Sequence, residues 1–598
     1  MPQQNAAKSD LIGGLPHPFE VKRSKLGNAA IAAVALTLTG AELVFPSVAA
    51  SFSLQEASIS SINEAFNNGL ITAKKLVQMY LDRIATYEDG GTKLNSITTI
   101  NPQALDIAEA LDIERRLQGP RSPLHGIPIL LKDNIDTFDL PTSNGSVILK
   151  NALPPDDAFI TQKLRDAGAI ILGKAAMGEF AGGSYNTIDG QTLNPYSFKR
   201  NTGGSSSGSA AAVAANLTVL GIGTDTSTSV RGPASFNGIV GLRPTTGLIS
   251  RDGIAPKNLL FDTAGPMART VTDMAHLLNV IAEVDPADPL TLDSQGKIPS
   301  DYTDFLVQGS LQGARIGVVR DFFGGNPEID ALAEAAIDKL EELGAVIVDP
   351  VNYPADYINF YVRNGGTNIR RIADYRFKAD WEAYLATFAD PSIPKTVAEF
   401  ISIYETEVNS SALPVENSVL DLLRRSLTTS TSDPAYINLV DNLLPESTRI
   451  EMALFDSLDL DAMVFPYQSN FASPIRNPVY SVSDPTFQPS PSIPSPATIA
   501  GYASIGFPGI VVPMGFGSAG LPTAISFFGK PYDEAKLISY AYDYEQATLH
   551  RSPSPLAPPL PGETIVPGPL PVFGAGIAFS FTRRLRKRIR LGGVTVRS

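Results

Sequence analysis

Three short segments hold the side chains with which this chain could do covalent chemistry. GIPILLKDN (126–134) ends an apolar run on Lys132 and Asp133, and TGGSSSGSAAAVAAN (202–216) presents Ser205, Ser206 and Ser207 after a double glycine. GTDTSTSVRGPAS (223–235) places the hydroxyl of Thr224 just before Asp225 and crowds those of Thr226, Ser227, Thr228 and Ser229 between Asp225 and Arg231. A serine hydroxyl is a poor nucleophile until a neighbour takes its proton. The chain has no cysteine and only four histidines, His17, His125, His276 and His550. That removes thiolate nucleophiles and cysteine-ligated metals, and leaves few partners for a Ser-His-Asp triad or a histidine-rich metal centre. His125 precedes a predicted strand and reads as packing. Lysine is then the available base, but an ammonium has no lone pair, so Lys132 must be kept neutral by burial and by its partners. Its place after IPILL meets that demand.

Each segment alone has a plainer reading. A lysine after a strand is commonly a solvated strand end. A Gly-Ser-rich stretch is commonly a flexible loop or an anion-binding helix start, although GGSSSGS lacks the GK(S/T) of a phosphate loop. Hydroxyl-rich turns commonly cap their own backbone. Asp225 and Arg231 read as groups that orient the loop by hydrogen bonds and an ion pair.

Together and in this order, the three segments resemble the amidase signature family, serine hydrolases that use a Ser-Ser-Lys triad. The family pattern is GIP-x-x-x-KD, then GGSS(G/S)GS, then GTD-x-x-x-S-x-R-x-PA, with the first serine after the double glycine 24 residues before the nucleophile. From Ser205 that spacing lands on Ser229. Further matches run from about 55 to 548: NPY at 194, GLRPTTGLISRDGI from Gly241, DTAGPMART from Asp262 and GFPGIVVPMGF from Gly506. SRDGI and DTAGPMAR resemble the peptide amidase-like branch. The resemblance implies that Ser229 is the nucleophile and Lys132 the base. Ser205, held by a cis peptide, relays the proton between them. Ser206 has a supporting place, and the backbone N–H groups of Thr226, Ser227, Thr228 and Ser229 form the oxyanion hole. It implies an amide or peptide-amide substrate, no cofactor and no metal, and an acyl pocket near Met177, Tyr185 and Ile510. The chain departs from the commoner family form at Ser227 and Thr228, where glycines are usual. Threonine, unlike glycine, does not tolerate positive φ, so the loop either uses ordinary dihedrals or forms an altered hole.

The elements that position these residues follow from periodicity. GIPILLKD reads as a buried strand; DAFITQKLRDAGA then AIILGK, SAAAVAANL then TVLGIGTD, and GARIGVVRD, a helix near 328–343 and AVIVDP alternate helix with buried strand. DAMVFP, GIVVPMGF and the helix DEAKLISYAYDYEQAT close the body. The expected class is α/β, and the resemblance implies one large mixed β-sheet with helices on both faces. Residues 351–450 read as a helical insertion or lid. The catalytic body spans 51–550.

Both ends read as targeting segments. Lys22, Arg23 and Lys25 precede an apolar run ending in Val48-Ala49-Ala50, the order of a signal peptide over 1–50, with a buried core helix as the alternative. Residues 551–571 form a Pro-rich linker, expected to be extended and unable to pack as helix or sheet. Residues 572–598 carry an apolar stretch and RRLRKRIR, read as a sorting or anchoring segment or as a basic tail on anionic lipid. Export follows, with possible attachment to a membrane through the C-terminus. A net charge of −14 argues against nucleic acid as a partner. The competing functions are an esterase of the same mechanism, a glutamyl-tRNA amidotransferase A-like subunit, and a catalytically inactive surface-anchored binding protein.

Overall fold

A computed structural model describes residues 51–565 apart from 90–92, 364, 490, 492, 497–498, 500 and 502–504. The expected signal peptide and the C-terminal apolar and basic segment lie outside the described residues. Eleven strands form the main sheet: β1 Ile97–Ile100, β2 Pro128–Lys132, β3 Ile170–Ala175, β4 Leu220–Asp225, β5 Val240–Arg243, β6 Thr263–Ala268, β7 Arg315–Val319, β8 Val346–Val351, β9 Ala462–Pro466, β10 Gly509–Phe516 and β11 Pro522–Phe528. Their order is β8-β7-β9-β11-β10-β5-β6-β4-β2-β3-β1. The sheet is mixed: β8-β7-β9 and β4-β2-β3 pair in parallel, and the remaining neighbours are antiparallel.

Side-chain alternation shows why both faces are covered. Along a strand, successive side chains point to opposite sides. Val464, Ile510, Val512 and Phe527 enter one core with the helices Val271–Ile281, Pro327–Glu342 and Glu534–Thr548. Their chain neighbours Met463, Phe465, Val511 and Phe528 enter a second core with Ala210, Val213, Val230 and Ala234. A sheet buried on both sides needs near-continuous apolar strands, and β2, β3 and β4 are buried at every position.

Residues 355–457 run through successive short helices. The helices Phe377–Ala386, Val397–Ile403 and Asn417–Ser426 build a third core around Trp381, Phe400 and Leu423, which also takes in Phe180, Leu149 and Ala152 from the body.

The start of the Pro-rich segment behaves differently from expectation. Thr564 and Ile565 pair antiparallel with Ser53 and Phe52. The Arg83 guanidinium, fully buried, donates to the Glu563 carboxylate at 2.8 Å and to the Ala557 carbonyl at 2.8 Å. Tyr196 donates to the Ser552 carbonyl at 2.6 Å, and Ser554 to the Pro195 carbonyl at 2.5 Å. Proline lacks an N–H but keeps its carbonyl, so a Pro-rich chain can still be fixed as an acceptor.

Candidate active site

Strand register brings the three segments together. In the parallel β2–β4 pair, Leu130 faces Gly221 and Leu131 faces Ile222, so the chains emerge side by side at Lys132 and Gly223-Thr224. On its other side β2 pairs with β3, with Lys132 opposite Ala175. The carboxyl ends of these parallel strands form the crevice where α/β sheets place ligands.

Lys132 is fully buried. Its Nζ donates to Ser205 Oγ at 2.7 Å, to Thr224 Oγ1 at 2.8 Å and to the Thr224 carbonyl at 3.2 Å. Burial pushes the ammonium down to about 7, against the opposing pull of the Asp225 and Asp262 carboxylates. Near neutral pH, Lys132 therefore has a populated neutral form that can accept a proton from Ser205. Asn134 Nδ2 donates to Thr224 Oγ1 at 3.1 Å, fixing the hydroxyl that faces the lysine.

The Gly204–Ser205 peptide is cis. Gly204 has no room for a side chain: a Cβ there would lie 1.7 Å from the Gly183 carbonyl oxygen. Ser206 ties Ser205 to the hydroxyl-rich loop, because its N–H donates to the Ser229 carbonyl at 3.2 Å. Its Oγ donates to the Thr224 carbonyl and accepts from the Thr224 N–H, both at 3.2 Å. Ser205 and Ser229 thereby sit on adjacent strands of backbone, both buried.

Asp225 organises the loop that follows. Its carboxylate meets Arg231 Nε at 3.3 Å, Arg243 Nη1 at 3.1 Å and the Val230 N–H at 3.1 Å, with all three side chains fully buried. Burial works to raise the Asp225 carboxyl, but the two guanidiniums outweigh it and hold it below the ordinary carboxylate range. Arg231 also donates to the Ser227 carbonyl and, at 2.8 Å, to the Ile499 carbonyl. Thr226 Oγ1 donates to Asp262 at 2.6 Å, and Thr228 Oγ1 shares a 2.8 Å hydrogen bond with Tyr467.

The Ser227, Thr228 and Ser229 carbonyls and the Thr226 and Thr228 side chains of the loop are thus engaged. Among the described residues, however, no group accepts from the N–H groups of Thr226, Ser227, Thr228 or Ser229. Four such donors can stabilise a developing oxyanion. None of these residues has positive φ, so the loop uses ordinary dihedrals and Ser227 and Thr228 fit without strain. The close approach that glycine usually allows is supplied from the other side. Gly501 lies against Ser227, where a Cβ would stand 2.6 Å from Ser227 Cα.

Met177 is fully buried beside Gly178, whose N–H donates to the Ser205 carbonyl at 3.1 Å. Tyr185 is buried and donates to the Pro414 carbonyl at 3.0 Å. Ile510 is fully buried in β10 and faces the core opposite to the one that receives Val230 and Ala234. His125 is buried too, its ring nitrogens engaged by the Leu111 carbonyl at 2.9 Å and the Arg121 N–H at 3.2 Å. Sequence reasoning overlooked Thr224, Asn134 and Gly178. The first two were signalled by polar side chains within the GTD and LKDN segments.

A protein-family model described as Amidase matches residues 75–538. A probable amidase of Arabidopsis thaliana is 35% identical over 85% of this chain and 93% of its own length. The chain belongs to the amidase signature family. The glutamyl-tRNA(Gln) amidotransferase A subunit of Methanosarcina barkeri is 33% identical over 83% of this chain and 98% of its own. Among solved structures, the native peptide amidase from Stenotrophomonas maltophilia aligns with a TM-score of 0.74 at 37% identity, covering 83% of this chain and 98% of that one. The fold, the family and an amide-hydrolysing activity agree with the sequence reading.

Proposed function

We propose that the enzyme hydrolyses carboxamides through a seryl acyl-enzyme in which Ser229 is the nucleophile, Ser205 the relay and Lys132 the base. Neutral Lys132 takes the Ser205 proton, Ser205 takes that of Ser229, and Ser229 Oγ attacks the amide carbonyl. The N–H groups of Thr226 to Ser229 face the developing oxyanion. The relayed proton passes to the leaving nitrogen as the C–N bond breaks, releasing ammonia or an amine, and water then hydrolyses the ester by the same route. The observation that carries this reading is the 2.7 Å hydrogen bond from fully buried Lys132 to Ser205. Likeness to peptide amidases, one of them solved with the competitive inhibitor chymostatin, supports a peptide amide as substrate.

The test is a screen of aliphatic amides, aryl amides and C-terminally amidated peptides, with Ser229→Ala as the control. Release of ammonia from peptide amides by the parent alone is the expected result; equal release by Ser229→Ala would sink the proposal. The match to an amidotransferase component supports a second reading, favoured if glutamine is the sole amide hydrolysed and only with a partner protein present. Export is proposed from the Lys22-Arg23-Lys25 flank and small residues 48–50. N-terminal sequencing of the secreted protein should start near residue 51, and retention of residues before 40 would contradict it. Among the described residues no helix is long and apolar enough to cross a membrane. C-terminal attachment, read from residues 572–598, is tested by comparing membrane association of the full chain with that of a chain ending at 571.

A further inference from the structure

The turn that follows β3 touches the Gly204–Ser205 pair at two points. At its start, the Gly178 N–H donates to the Ser205 carbonyl at 3.1 Å. At its end, the Gly183 carbonyl abuts Gly204 so closely that no side chain fits there. Between them the backbone takes a shape that L-residues rarely hold: Phe180 (φ 49°) and Ala181 (φ 55°) are successive left-handed non-glycine residues. Such a conformation persists only where its surroundings over-determine it.

Those surroundings come from the helical insertion. The buried Phe180 ring is packed edge-on by Trp381 at 5.0 Å, Phe400 at 5.9 Å and Phe377 at 6.0 Å. Next to it, the Glu179 side chain is 2% exposed. One oxygen, Oε1, accepts from the Tyr404 hydroxyl at 2.5 Å and from Thr187 Oγ1 at 2.8 Å. Tyr404 also bonds Ser146, and the Phe180 N–H donates to the Asn144 carbonyl at 3.2 Å, so the turn is gripped from the 143–146 loop as well. A buried carboxyl is expensive to keep, and the steps assigned to Lys132, Ser205 and Ser229 make no use of this one.

We infer that Glu179 is a positioning residue: held by Tyr404 of the insertion and by Thr187, it fixes the left-handed turn whose Gly178 N–H orients the Ser205 peptide, so that the insertion sets the geometry of the Lys132–Ser205 pair. This rests on the reading of Ser205 as the relay. The alternative is a satisfied core carboxyl that contributes to stability alone.

Steady-state kinetics on a carboxamide turned over by the parent separate the two, using the full chain with Tyr404→Phe, Glu179→Leu and Glu179→Gln. Tyr404→Phe keeps the ring against Phe180 and removes the donor. It should lower kcat about tenfold with KM within about twofold, and Glu179→Leu should lower kcat by up to about 100-fold, the scale expected for misplacement of a reacting group from outside the site. Glu179→Gln retains an acceptor oxygen and should recover most of kcat. Parent-like kcat in folded Tyr404→Phe and Glu179→Leu, with a loss in Tm alone, would overturn the inference. Where Glu179→Leu does not fold, Tyr404→Phe and Glu179→Gln carry the test. Crystal structures of the parent and Tyr404→Phe decide the geometry even if no amide is turned over, which would instead count against the proposed function. A lengthened Gly178–Ser205 contact is expected, and an unchanged one overturns the inference.

Discussion

At the scale of single residues, Lys132 can act as a base because its charged form is the costly one in that position. Burial lowers its pKa from 10.5 to about 7, so the rate should rise with pH through about 7 as the ammonium loses its proton. A pH–rate profile of kcat/KM that stays flat across that range would contradict the assignment. The sign for stability follows from the same shift. Between about 7 and 10.5 the unfolded chain binds a proton at Lys132 that the folded chain does not, so this group's contribution to stability rises with pH through that window. Thr224→Val removes the hydroxyl that accepts from Lys132 at 2.8 Å. With a charge-assisted bond worth roughly 1.5–3 kcal/mol, kcat/KM should fall roughly 10- to 100-fold while the fold is kept. The candidates Lys132, Ser205 and Ser229 were named from residue type, from the scarcity of histidine and from a family spacing, and the fold brings their segments together. Thr224 and Asn134 stood in the same segments as polar side chains, but that they meet at Lys132 follows from the β2–β4 register, which no local pattern encodes.

At the scale of elements, the loop 226–229, proposed as the oxyanion hole, is held by Asp262 at Thr226, by Arg231 at the Ser227 carbonyl and by Tyr467 at Thr228, and among the described residues nothing accepts from its N–H groups. Replacing Gly501 with alanine places a Cβ 2.6 Å from Ser227 Cα and should push the loop. Misplacing one oxyanion donor costs roughly 2.7–4 kcal/mol of transition-state stabilisation. The kinetics of Gly501→Ala should therefore show a loss in kcat of about 10²- to 10³-fold, with circular dichroism unchanged; parent-like kcat would mean the loop tolerates the contact. Sequence raised the absent glycines as a puzzle and could not supply Gly501, which lies far along the chain. It also read β2, β3, β4, β7 and β8 as strands from their apolar runs, but β8, expected to be buried, stands at the edge of the sheet and is largely exposed. It passed over β5 and β6, because GLRPTTG and DTAGPMART interrupt their apolar residues with glycine and proline. Those two are the antiparallel strands that seat Arg243 against Asp225 and Asp262 against Thr226.

At the scale of the whole molecule, the body is closed by its own ends. Arg83 is fully buried, and Glu563 from the Pro-rich segment faces it. Removing one partner of a buried pair typically costs about 3–5 kcal/mol. Glu563→Ala, or a chain ending at 550, should therefore melt well below the 51–565 chain in a thermal denaturation, with kcat little changed in the folded protein. Equal melting temperatures would show the docking to be energetically idle. Sequence treated this segment as a free linker, because proline content reports what the backbone cannot donate and says nothing of the carbonyls it offers. The central claim, that Ser229 carries the acyl group, is tested most directly on the intact protein. Mass spectrometry of enzyme quenched during turnover of a peptide amide should find an acyl adduct on the peptide containing Ser229, and none on Ser229→Ala. An adduct on another residue, or undiminished hydrolysis by Ser229→Ala, would contradict it.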